Sequence, residues 1–164
     1  MTYENFKYID PDKFHGKELT LHDCISDNIS YKDNNLRFYL PDGFWITPNH
    51  EENSSEKVVR TDAAVVDFLV EDIDEITVRV FTRRTWCWST KETVENWHMD
   101  QLISAINSKK CTIEFITQYR TYGEQMWYCV IHSKKKPYYK ACQIYLPNTT
   151  ATFCWNNLRL DREW

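Results

Sequence analysis

The last third of this chain reads as four strands, over 112–120, 125–133, 138–146 and 151–158, joined by turns at Gly123, 134–137 and 147–148. Links this short connect antiparallel neighbours, because a parallel crossover takes a dozen residues or more. The first half repeats the pattern. Leu19 and Leu21 alternate with Thr20 and His22, Leu36, Phe38 and Leu40 alternate with Arg37 and Tyr39, and 44–47 follows. Asp and Asn residues in 32–35 supply one turn. Pro41, Asp42 and Gly43 supply another, which predicts a hairpin ending at Phe44. Further strands are expected over 61–70 and 75–83, with the acidic link 71–74 between them. In the second, Ile76, Val78 and Val80 face one side and Thr77, Arg79 and Phe81 the other. The polar stretch 48–57, with Asn53, Ser54 and Ser55, reads as a solvated surface loop.

One segment carries a helical period. Over 94–107, Val94, Trp97, Leu102, Ala105 and Ile106 share a face, with Thr93 placed to cap the start and Asn107 with Ser108 the end. Strands, one helix, then strands predict an α+β fold: a large curved, mostly antiparallel sheet, or a two-sheet sandwich, with one main helix. The 164 residues suit a single domain spanning 1–164, and 42% apolar with 15% aromatic residues is ample for one core.

A net charge of −4 disfavours a nucleic-acid partner, since a phosphate backbone is not drawn to the chain as a whole. No run approaches the roughly 20 apolar residues of a membrane span, so no membrane partner is expected. The first ten residues lack a secretory pattern, which predicts a cytoplasmic protein. The six cysteines, Cys24, Cys87, Cys111, Cys129, Cys142 and Cys154, are scattered and read as buried free thiols.

His22, Asp23 and Cys24, with His15 nearby, are residue types that bind zinc. On a strand His22 and Cys24 share one face and Asp23 takes the other, so at most two ligate one ion. A structural role is favoured, with His22 or Asp23 bonded to turn backbone. Arg83, Arg84, Trp86 and Trp88 offer guanidinium and indole surfaces to a ligand or to single-stranded bases. Period two equally makes Trp86 and Trp88 core residues. The aromatics Trp127, Tyr128, Tyr138, Tyr139, Tyr145, Phe153 and Trp155 fit cross-strand pairing. Both sheet faces carry them, however, and a face that the amino-terminal strands leave uncovered becomes a partner site. Lys134, Lys135 and Lys136 read as a solvated turn. With Gly16, Gly43 and Gly123 as the only glycines, the glycine-dependent catalytic motifs are absent. Neither an enzyme nor a cofactor is indicated.

Leu21, His22, Asp23, Cys24 and Ile25, then Ile29, Leu36, Phe38 and the Asp42–Gly43 turn resemble the opening of small bacterial β-rich domains. Some of these are similar to immunity proteins of polymorphic toxin systems. The resemblance covers the first quarter of the chain and implies no catalytic residues.

The expectation is a non-enzymatic cytoplasmic protein-interaction module, of the immunity type, with a protein partner. Its contacts are sought at Glu51, Glu52, Glu56, Glu71, Asp72, Asp74, Arg83, Arg84, Trp86 and Trp88. The alternative is a metal-assisted hydrolase or small-molecule-binding domain built on His15, His22, Asp23 and His98. A single-strand nucleic-acid binder using Arg83, Arg84 and the tryptophans comes third.

Overall fold

The computed structural model describes residues 6–9, 18–86, 89–120, 123–147 and 149–163, leaving aside the side chains of 84–86 and 120. In chain order the strands are β1 Phe6–Ile9, β2 Leu19–Thr20, β3 Cys24–Ser26, β4 Asn28–Lys32, β5 Asn35–Leu40, β6 Trp45–Ile46, β7 Val59–Thr61 and β8 Ala64–Leu69. A 3-10 turn at Ile73–Glu75 leads to β9 Thr77–Trp86 and β10 Ser89–Trp97, and helix α1 Met99–Asn107 follows. The chain ends with β11 Cys111–Arg120, β12 Glu124–Ser133, β13 Tyr139–Pro147, β14 Ala151–Trp155 and β15 Leu158–Glu163.

Antiparallel strands with one α-helix match the expectation. Among the described residues the strands form three sheets rather than one large one. The orders are β1-β14-β8-β5-β4, β10-β9-β13-β12-β11-β3 and β15-β7-β6-β2. The first two sheets meet through aromatic side chains. Phe38 on β5 and Phe68 on β8 lie edge-to-face at 6.0 Å. They reach across to Phe115 on β11 at 5.1 Å and Trp127 on β12 at 6.3 Å, which themselves meet at 5.3 Å. T-shaped pairs of this kind add about 0.5–1.5 kcal/mol each beyond the area they bury. Period two therefore builds the core: Cys129, Cys142, Ile144 and Leu146 point inward on β12 and β13, while their sequence neighbours point out.

The turn at 41–43 forms as expected, with the Gly43 N–H donating to the Leu40 carbonyl at 3.0 Å. It is a corner and not a hairpin, because the strands it joins do not pair with each other. β5 pairs with β8 and β6 with β7, so one two-stranded ribbon bends from the first sheet into the third. Gly43 has φ of +72, and a Cβ there would lie 2.2 Å from the Asp62 carbonyl oxygen and the Thr61 Oγ1. The predicted strand over 61–70 is broken by the same corner. The strand over 151–158 is likewise divided, into β14 and β15.

The helix begins later than its period suggested. Residues 89–97 are strand β10, where β-branched Thr90, Thr93 and Val94 fit a pleated surface. Val94 and Trp97, three apart, then point to opposite faces. Val94 is 55% exposed, and the Thr93 hydroxyl bonds the Thr82 carbonyl instead of capping a helix. His98 is the N-cap residue, and its N–H donates to the Gln101 side chain at 2.9 Å. Met99, Leu102 and Ile106 pack the helix into the core beside β4. At its end the Asn107 amide acts as a strand would: Oδ1 accepts from the Ile29 N–H at 2.9 Å and Nδ2 donates to the Ile29 carbonyl at 2.8 Å. The free edge of β4 is satisfied there without another strand.

The loop 48–57 is exposed at Glu51, Glu52 and Glu56 but is built around buried residues. Asn53, expected in a solvated turn, is 6% exposed. Its Nδ2 donates to the Ile46 and Lys57 carbonyls, and its Oδ1 accepts from the Ser55 N–H. His50 is buried against Tyr8 and Trp155.

Candidate functional site

The amino-terminal strands cover one face of the six-stranded sheet and leave the other in contact with solvent. Strand pairing sets the side chains of this outer face in three rows. One row runs Ile25, Glu114, Val130, Ala141, Phe81, Val94 across β3, β11, β12, β13, β9 and β10. The second runs Thr117, Tyr128, Gln143, Arg79, Asn96, and the third Tyr119, Met126, Tyr145, Thr77. Every one of these residues is half-buried or exposed, whereas the alternate residues of β12 and β13 are buried. Tyr119 is 55% exposed.

Several polar side chains on this face are held in place. The Arg79 guanidinium lies 5.0 Å from the centre of the Tyr145 ring, a cation–π contact. The Tyr145 hydroxyl donates to Gln143 Oε1 at 2.9 Å. His132 Nε2 and Glu114 Oε2 are 2.6 Å apart, and the His132 ring meets Tyr139 edge-on at 5.2 Å. The result is a broad surface of tyrosine, methionine, valine and phenylalanine with charges fixed among them. That mixture suits a protein surface better than a small molecule, which calls for a concave site.

The acidic residues singled out in the sequence lie elsewhere and in two places. Glu51, Glu52 and Glu56 are exposed on the loop beyond the Ile46–Val59 end of the bent ribbon. Glu71, Asp72 and Asp74 are exposed beyond its opposite end, where Asn35 pairs with Leu69. The second group is pinned to the β4–β5 turn. The Tyr31 hydroxyl donates to the Val70 and Glu71 carbonyls, and the Val70 N–H donates to the Asn34 carbonyl at 2.8 Å. Exposed Asp33 on that turn therefore joins Glu71, Asp72, Asp74 and Glu75 at one acidic end.

Arg83 is exposed on β9 opposite Glu92. Trp88, and the side chains of Arg84 and Trp86, lie outside what is described. His15 also lies outside the described residues.

His22 and Asp23 occupy a turn rather than a strand, so the predicted sharing of a face by His22 and Cys24 does not arise. Asp23 has φ of 55 and its N–H donates to the Phe115 carbonyl at 2.8 Å. The His22 Nδ1 bonds the carbonyl of Ile116, the residue at which the β11–β12 register shifts. A bulge leaves one residue outside the ladder, and the imidazole takes up its carbonyl. The His22 side chain therefore bonds the backbone of β11, and the Asp23 carboxylate lies 3.5 Å from His22 Nε2. Among the described residues no three His, Cys, Asp or Glu side chains are grouped to hold a metal ion. His98 is exposed at the start of α1.

Buried Cys24 and Cys142 have their thiols pushed up to about 12 by desolvation, and Cys129 is raised well above its ordinary value. Thiols held in this form are poor nucleophiles and poor metal ligands. No helix among the described residues is long and apolar enough to cross a membrane.

What sequence reasoning missed is which side chains the open face of the six-stranded sheet carries. That aromatics fall on both faces, Trp127 on one and Tyr128 on the other, was visible as a period-two pattern. Which face the amino-terminal strands cover is set by long-range packing, and no local signal reports it. No family model, curated protein or solved structure matches this chain.

Proposed function

We propose that this chain is a non-enzymatic, cytoplasmic protein-interaction module, of the immunity type, that docks a protein partner on the outer face of its six-stranded sheet. The observation that carries this reading is the solvent-facing set of rows through Tyr119, Met126, Tyr128, Val130 and Tyr145. Tyrosine and methionine are enriched where proteins meet, and apolar surface spread over several adjacent strands is a common mark of such a site. The acidic ends of the ribbon, with Glu52 at one and Asp72 at the other, act in encounter. They draw in a partner with basic patches and raise the association rate at low salt.

The test is capture from an extract of the source cells with the native chain, compared with two variants of matched thermal stability. Tyr128→Glu with Val130→Glu is expected to lose a stoichiometric protein that the native chain retains. Glu71→Lys, Asp72→Lys and Asp74→Lys together are expected to retain it but slow its association. Equal retention by the Tyr128/Val130 variant, or retention of metal or small molecule alone, removes the reading.

A further inference from the structure

The six-stranded sheet ends in an open edge. β10 is its first strand, nine residues long, and among the described residues only β9 pairs with it. Ser89 to Asn96 are exposed on both faces of the strand. In an antiparallel pair, alternate residues of the outer strand turn their N–H and C=O groups away from the neighbour, so β10 presents a row of such groups to solvent. Two other edges differ: that of β4 is met at Ile29 by the Asn107 amide, and β3, at the far end of this sheet, is three residues long.

We propose that β10 pairs with β10 of a second copy of this chain, antiparallel and centred on Thr93. A two-fold axis through the sheet places residue 93 opposite itself, and each residue below it opposite the one equally far above. Lys91 then faces Glu95 of the second copy, and Glu95 faces Lys91. Directly opposed side chains point to the same face, so both pairs form there, one on each side of the Thr93–Thr93 contact. Charges along an edge ordinarily prevent pairing with other strands. Their placement about Thr93 favours a single register: a centre at Glu92 opposes two glutamates, a centre at Lys91 two lysines, and a centre at Val94 sets Lys91 against Trp97.

The neighbouring groups accommodate this register. Glu95 Oε2 already accepts from the Trp97 indole at 3.1 Å, which leaves Oε1 for the incoming lysine. On the opposite face Glu92 stands opposite Arg83 in the β9–β10 register, which sets a positive charge beside it as it comes to lie near Glu92 of the second copy. The sheet then runs unbroken through both copies, and their outer faces form one surface.

The experiment is sedimentation equilibrium of the native chain, Lys91→Glu, Glu95→Lys and the double variant, with circular dichroism confirming the fold of each. No binding partner is needed, so the outcome is independent of the proposed function. The native chain is expected to dimerise. Each single reversal sets like charges opposite one another twice, and is expected to weaken the dimer by about tenfold or more. The double variant restores opposite charges in the same register and is expected to return most of that loss. A native chain that stays monomeric at its highest soluble concentration overturns the proposal. So does a dimer unaffected by the single reversals, or one that the double variant fails to restore.

Discussion

Gly43 shows how much of this fold hangs on single positions. Its positive φ and the 2.2 Å approach of a would-be Cβ to the Asp62 carbonyl oxygen fix the corner at which the ribbon changes sheet. Gly43→Ala is expected to cost roughly 2–5 kcal/mol, combining backbone strain with overpacking. At Gly123 a Cβ meets no atom within 4 Å, so Gly123→Ala is expected to cost less. Urea unfolding of the two variants checks the order. Asn107→Ala strips partners from the backbone N–H and C=O of buried Ile29, and a loss of about 1–3 kcal/mol is expected by the same measurement. The buried thiols set a pH limit. Cys24 and Cys142 ionise near 12 when folded against an ordinary 9.0, so the folded state holds its protons longer than the unfolded one. Their contribution is complete below about pH 9 and is lost as pH rises toward 12. Stability measured across that window should fall, and fall less steeply in Cys142→Ala. Alternation placed His22 and Asp23 on a strand, and the turn they form was not legible. Nor were their true partners, the Phe115 and Ile116 carbonyls, because a bulge 94 positions away from His22 leaves no mark beside it.

At the scale of elements, alternation and turn chemistry carried most of the reading. The strands β5, β9, β11, β12 and β13 all lie where period two placed them, since one side of each is buried and the other is not. The helix was misplaced at its start. Val94 and Trp97 fit a helical stripe by spacing, and only the packing of β10 against β9 decides that residues 89–97 are extended. Of the short strands, β2 and β6 fall within the stretches read at 19–22 and 44–47, whereas β7 was missed except at Thr61, because three residues carry too little period to be seen. Their stability comes from the corner at Gly43 and from Asn53 in the loop beyond. Leu102→Ala on α1 is expected to cost about 2–5 kcal/mol, because that side chain is fully buried in the core. Val94→Ala, at a position first assigned to the same helical stripe, should change stability by less than about 0.5 kcal/mol, since it lies exposed on a strand.

For the whole molecule, the arrangement of sheets decides which surface is free. The five-stranded sheet buries Phe38 and Phe68 against Phe115 and Trp127, and the inner face of the six-stranded sheet is covered from β11 to β9. Tyr128, one residue from Trp127, is thereby left on the outside. Composition could state that aromatics exceed what one face needs, but not which of them remain exposed. The acidic residues were readable as surface residues, yet they lie beyond opposite ends of the bent ribbon instead of on one stretch of it. Raising salt should therefore slow partner association while changing dissociation little, as stopped-flow measurements would register.

The most direct test of docking on the outer face is site-specific photo-crosslinking, with the reactive group placed at position 128, at 52 or at 72, in an extract of the source cells. One protein joined efficiently from position 128, and poorly from 52 and 72, is the predicted result. Crosslinking from 52 or 72 with none from 128 would contradict it and return the contact to the acidic ends of the ribbon.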